Sequence, residues 1–128
     1  MTDLTGHILV VDDDMLGRMQ AAQCVKLQGH TVTMADGGVQ ALELLRSQTF
    51  DLVLLDLLMP DVDGFEVLRQ MRADEKLRGI PVIVVSGADE TESVAKCVEM
   101  GAAGHLAKPV DPELLAAKVS AALTQKND

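Results

Sequence analysis

The sequence predicts an α/β protein: a doubly wound, open parallel sheet of five strands, each followed by a helix. Three observations predict it. Five short aliphatic runs recur along the chain, at Ile8–Val11, Thr31–Ala35, Leu52–Leu55, Val82–Val85 and His105–Ala107. Between them, apolar residues return every three to four positions, the period of a helix face. The first, third and fourth runs are almost unbroken Val, Ile and Leu, as in strands covered by helices on both faces. Five such units with right-handed crossovers give an open sheet, whereas a barrel takes eight.

Each element has its own signal. After the first strand, Gly17, Ala21, Cys24 and Val25 fall at i, i+4, i+7 and i+8 on one helix face, and Gly29 marks the stop. Thr31–Ala35 is mixed in character, as an edge strand is. Asp36 is placed to cap a second helix that carries Val39, Leu42 and Leu45. The third strand, Leu52–Leu55, runs directly into Asp56. Asp63-Gly64 reads as a turn and helix start, and Phe65, Leu68 and Met71 stripe the third helix. Val94, Cys97 and Val98 stripe the fourth, which Gly101 ends. His105–Ala107 is the second edge strand. Asp111-Pro112 puts a cap residue before a proline at the first helical position. The fifth helix then carries Leu114, Leu115, Val119 and Leu123. No linker or low-complexity stretch divides the chain, so residues 1–128 are expected to form one domain with a core over about 7–124.

Composition narrows the function. The chain has 128 residues, 48% hydrophobic, with a formal net charge of −9, a size suited to one core. Phe50 and Phe65 are its only aromatic residues of the Phe, Trp and Tyr class. An acidic surface repels nucleic acid and anionic membrane, and base stacking needs aromatic rings. Direct nucleic-acid or membrane binding is therefore not expected, while divalent cations and basic protein surfaces suit the charge. Cys24 and Cys97 lack metal-ligand spacing and read as reduced apolar residues. No signal peptide opens the sequence, and no apolar run approaches the roughly 18 residues of a membrane span. A cytoplasmic protein is expected. His7 and His30 flank strands and read as surface residues. The seven methionines read as core filling.

The residues that follow the strands carry the chemistry. Asp12-Asp13-Asp14 follow the first, Asp56 ends the third, Ser86-Gly87 follow the fourth and Lys108-Pro109 follow the fifth. In an open parallel sheet all these positions lie at the carboxyl ends, where ligands bind. Crowded carboxylates repel, and a hard divalent cation with oxygen ligands relieves the repulsion. Mg²⁺ is the usual choice where phosphate is handled, with Mn²⁺ its substitute. Lys108 adds a positive point charge. A carboxylate in such a setting can attack phosphorus and form an acyl phosphate. Asp56 also interrupts an apolar run, an expensive place for a charge without partners. Asp14, Asp61 and Asp63 read as solvated turn residues.

ILVVDDD, LVLLDLLMPDVDG, VIVVSGAD and LAKP, in this order, resemble the signature segments of response-regulator receiver domains over roughly residues 7 to 124. The resemblance implies a flavodoxin-like (βα)5 fold with strand order 2-1-3-4-5. It implies that Asp56 is the phosphoacceptor and that Asp13 binds Mg²⁺ directly and Asp12 through water. The backbone carbonyl of Leu58 would complete the protein ligands. Lys108 would pair with Asp56 and then with the phosphoryl group, and Ser86 would hydrogen-bond a phosphoryl oxygen. The Lys108-Pro109 bond would be cis. The phosphodonor implied is a histidine kinase or histidine phosphotransfer protein, and the output is contact between a downstream protein and the fourth helix, fifth strand and fifth helix. Such a chain is a signalling phosphoprotein rather than an enzyme with a turnover substrate.

Four positions depart from the family pattern. His105 stands where an inward-swinging Tyr or Phe is common, and both a switch role and a plain edge-strand role remain open for it. Val110 stands where Phe is frequent, which implies a packing difference. Leu58 and Ala88 occupy positions where polar side chains help orient a hydrolytic water. Neither can do so, so slow self-dephosphorylation is expected.

Rival readings are weaker. A haloacid-dehalogenase-type phosphatase needs a second acid two residues after its nucleophile, and Leu58 is there instead. A flavin or dinucleotide binder needs a phosphate loop, and no GxGxxG or GxxxxGK[ST] exists. A receiver cut from a longer regulator with an output domain stays open, as does a phosphate-independent pseudo-receiver scaffold.

Overall fold

The computed structural model describes residues 5–60, 62–87 and 91–126. Strands and helices alternate: β1 (His7–Val11), α1 (Met15–Leu27), β2 (Thr31–Ala35), α2 (Gly38–Ser47), β3 (Leu52–Asp56), α3 (Gly64–Ala73), β4 (Val82–Ser86), α4 (Thr91–Glu99), β5 (Gly104–Ala107) and α5 (Pro112–Lys126). The strands pair in parallel in the order β2-β1-β3-β4-β5. This is the doubly wound, flavodoxin-like arrangement expected from the sequence.

Strand residues point alternately to the two sheet faces, and each face has its own core. Leu9, Val11, Val53, Leu55 and Val84 meet Ala41, Leu42, Leu45, Leu68, Met71 and Cys97 on the side of α2, α3 and α4. Ile8, Val10, Leu52, Leu54 and Ile83 meet Val25, Leu115, Val119 and Leu123 on the side of α1 and α5. All five residues of β3 are buried, Asp56 among them. Burial on both faces is why this strand contains no polar residue until its last position.

The terminators act as expected. Gly29 and Gly101 both have positive φ, at 97° and 100°, a conformation that favours glycine. α5 begins at Pro112, and Asp111 accepts the Glu113 N–H at 2.9 Å. Asp63 caps α3 by accepting the Glu66 N–H. The Lys108-Pro109 peptide is cis. Both cysteines are free thiols, with Cys97 buried and Cys24 partly so.

Several expectations need correction. α2 is capped by Gly37, not Asp36. A Cβ on Gly38 would sit 2.2 Å from the Val62 carbonyl oxygen, so the helix starts in close contact with the loop after β3. Asp36 lies one residue outside the cap, and its N–H donates to Gln40 Oε1 at 2.8 Å. Val39, Val98 and Leu114 are about half exposed, at 51%, 53% and 48%. The other members Leu42, Leu45, Cys97, Leu115, Val119 and Leu123 are buried as expected, so each of the three lies at the outer edge of a correctly placed helix face. Asp14 is more than a solvated turn residue, since it caps α1 by accepting the Gly17 N–H at 2.8 Å. Met59 and Met71 are buried, but Met15, Met19 and Met34 are exposed. The last three lie on α1 and on edge strand β2, where fewer neighbours cover a side chain.

His30 is buried rather than superficial. Its Nδ1 accepts the Gly6 N–H at 3.1 Å, and burial lowers its pKa. His7 sits beside Phe50 with ring centroids 4.3 Å apart. Its ring nitrogens contact Thr49 O at 2.9 Å and Thr33 Oγ1 at 2.6 Å, and its N–H donates to Asp51 Oδ2. These contacts tie the amino-terminal rim of the sheet together. On the same rim, residues 74–80 connect α3 to β4. Leu77 anchors this connection in the core, and Gly79 is exposed with nothing within 4 Å of where a Cβ would be.

Candidate functional site

The sheet brings four of its loops to one rim. β1 leads into Asp12 and Asp13, β3 ends in Asp56, β4 ends in Ser86, and Lys108 follows β5. Asp56 pairs in register with Val85, and Ser86 with Ala107. Strand pairing therefore sets the acid, the hydroxyl and the amine side by side across three neighbouring strands.

One oxygen from each of Asp12, Asp13 and Asp56 lies within 4.8 Å of the other two. Lys108 Nζ donates to Asp56 Oδ1 at 3.3 Å. Asp56 is 4% exposed and Asp13 is exposed, so the cluster runs from the sheet's interior to its surface. Burial raises the Asp56 pKa most, the Lys108 ammonium pulls it back, and Asp12 pushes it up again, to about 6. Burial first, and the neighbouring Asp12 after it, thus disfavour ionised Asp56 beyond what Lys108 offsets, and a further cation would relieve both.

The donor set suits a hard divalent cation. Three carboxylates supply oxygen ligands only, and Mg²⁺ accepts such ligands while keeping waters. Two carboxylates are set by main chain. Asp12 Oδ1 accepts the Asp14 N–H at 2.9 Å, and the Asp12 carbonyl accepts Arg18 Nη1 at 2.8 Å. Asp56 is fixed by its place at the end of β3. Gly64 packs there closely, since a Cβ on it would stand 2.6 Å from the Asp56 carbonyl oxygen.

The other expected site residues vary in position. Ser86 is 3% exposed at the end of β4, and its carbonyl accepts the Lys108 N–H at 2.8 Å. Leu58 follows in the loop after β3 with its side chain 61% exposed. His105 is exposed on β5, opposite Val84. That is two residues short of Ala107, opposite Ser86, or about 7 Å along the strand. The structure thus does not bring the His105 backbone to the level of the carboxylates. Ala88 and Asp61 lie outside the described residues. Arg18 and the cap at Asp14 were not anticipated as site elements. A cap signal existed in the spacing of Asp14 before Gly17, but the Arg18 contact depends on side-chain reach.

A groove of about 830 Å³ continues from Asp12, Asp56 and Lys108 between α1 and α5. Leu16, Met19, Cys24, Val110 and Leu115 are among its lining residues. Val110 is partly buried against the core on this side.

Comparisons with known proteins bear on the family and the fold. The model of the response regulator receiver domain matches residues 8–120. Protein PilH of Pseudomonas aeruginosa is 34% identical over 117 residues, covering 91% of this chain and 97% of that protein. A cyclic di-GMP phosphodiesterase of Thermotoga maritima is 40% identical over 119 residues, or 93% of this chain, but the match spans only 31% of that longer protein. The crystal structure of a CheY-like response regulator receiver domain protein from Methanospirillum hungatei superposes with a TM-score of 0.87 at 28% identity. That match covers 94% of this chain and 95% of the other.

Proposed function

Given that the chain belongs to the response regulator receiver domain family of two-component signalling, we propose that Asp56 accepts a phosphoryl group from a phosphohistidine donor. The carrying observation is the convergence of Asp12, Asp13 and Asp56 within 4.8 Å, with Lys108 Nζ 3.3 Å from Asp56. The donor is a histidine kinase or a histidine phosphotransfer protein. An Asp56 carboxylate oxygen attacks phosphorus, the phosphorus–nitrogen bond breaks, and the imidazole leaves with its electron pair. A Mg²⁺ ion held at the acidic cluster would supply positive charge to the phosphoryl oxygens.

The chain's own residues do the rest. Asp12, Asp13 and Asp56, with the Leu58 carbonyl, would hold the cation. Asp56 is presented from a rigid, buried strand end, so little motion is needed for attack. Lys108 loses its partner's charge when Asp56 becomes an acyl phosphate, a mixed anhydride, and it moves to the phosphoryl oxygens. Ser86 donates its hydroxyl to another. Movement at Ser86 and Lys108 is felt at β4 and β5, which supports an output surface on α4, β5 and α5. A downstream protein reads that surface. Residues 1–128 act as one receiver unit with no substrate turnover of its own. The acidic charge and the lack of any long apolar helix among the described residues favour a cytoplasmic setting.

The test is incubation with Mg²⁺ and a small phosphodonor, read by intact mass. One phosphate-sized gain is expected, absent from Asp56→Asn. Equal labelling of that variant would overturn the assignment.

A further inference from the structure

Asp12 differs from its neighbours in what surrounds its carboxylate. Oδ1 is held by the Asp14 N–H. Oδ2 lies over the first turn of α1, against Gly17. A Cβ added at Gly17 would stand 2.8 Å from Asp12 Oδ2 and 3.1 Å from Asp14 Oδ2. The first distance is shorter than carbon and oxygen tolerate without one moving.

Backbone conformation does not require this glycine. Gly29 and Gly101 have positive φ, and Gly17 does not. Glycine inside a helix is also unfavourable relative to alanine. What Gly17 supplies is space, and the atom that uses most of it is an oxygen of a candidate metal ligand.

We propose that Gly17 is a positioning residue for the cation: its missing side chain lets the Asp12 carboxylate point where it converges with Asp13 and Asp56. The inference rests on reading these three acids as a Mg²⁺ site. The atom in the way is the tip of a side chain, so alanine would turn that tip aside and leave the backbone in place. The fold tolerates the change, and the metal site does not.

Gly17→Ala in the full chain tests this, with Mg²⁺ alone as the probe. Affinity is measured by titration calorimetry, and the thermal midpoint is measured separately in EDTA. The control is Gly37→Ala, because a Cβ there meets nothing within 4 Å. The expected result is a Mg²⁺ dissociation constant raised roughly tenfold, in the range seen when residues that orient metal ligands are changed. The midpoint in EDTA should be unchanged or higher, and Gly37→Ala should bind as the parent does. An unchanged dissociation constant for Gly17→Ala would overturn the inference. So would an equal loss in Gly37→Ala, or a Gly17→Ala chain that fails to fold. A parent chain that takes up no Mg²⁺ would overturn the reading of the site itself, and the inference with it.

Discussion

Replacing Asp56 with Asn should make the metal-free protein more stable. Asp56 is 4% exposed, and its pKa rises from the ordinary 3.8 to about 6. Between those values the folded state holds a proton that the unfolded state has released. Stability therefore falls as pH rises from about 4 to 6, and the full penalty is present above 6. It amounts to about 3 kcal/mol at pH 7 and about half that at pH 5. The Asn amide is itself a buried polar group, so the net gain should be about 2 kcal/mol. For a domain of this size that is roughly 8 °C in thermal midpoint. Denaturant titration in EDTA at several pH values measures it. The advantage of Asp56→Asn should shrink as pH falls through 6. Saturating Mg²⁺ should stabilise the parent more than the variant, because binding offsets the same repulsion. A variant no more stable than the parent near neutral pH, or an advantage independent of pH, would refute the reasoning.

Other expectations follow from single contacts. His30 Nδ1 accepts a backbone N–H, and burial lowers its pKa, so the folded state resists protonation and stability is lost as pH falls below about 6.5. His30→Asn, whose side-chain oxygen also accepts, should weaken that acid dependence; comparing denaturant midpoints of the two chains cancels the opposing contribution of Asp56, and equal slopes would remove His30. The Asp56 phosphoform should decay slowly without a phosphatase, because Leu58 and Ala88 cannot orient water; loss within seconds, followed by intact mass, would contradict this. His105 is exposed and two residues short of Ser86's partner, so a switch role requires movement. His105→Ala should weaken binding of the phosphoform to its protein target if the ring moves inward, and unchanged affinity would take His105 out of the output mechanism.

The sheet was legible in the sequence because burial on both faces leaves an uninterrupted aliphatic run. Leu52 to Leu55 announces β3, and Asp56 stands out because nothing else polar interrupts the strand. Glycines with positive φ and the Asp111-Pro112 pair were equally plain, since their backbone requirements are local. What failed was the width of three helix faces, not their direction. Val39, Val98 and Leu114 fit an inner stripe as well as their neighbours do, and only the position of the sheet decides between them. The burial of His30 was hidden for the same reason: its acceptor role depends on Gly6, 24 residues away. At the site, residue types and strand ends marked Asp12, Asp13, Asp56 and Lys108. The Arg18 clamp and the space above Gly17 arise from side-chain directions that spacing does not encode.

A parallel sheet has two rims, and this molecule uses them differently. One carries the carboxylates; the other is tied by His7, His30 and Asp51 and bears the 74–80 connection. The strands between them are about 17 Å long. Exposed Gly79 is thus a splice point: a reporter or affinity tag inserted there would leave the reactive rim untouched.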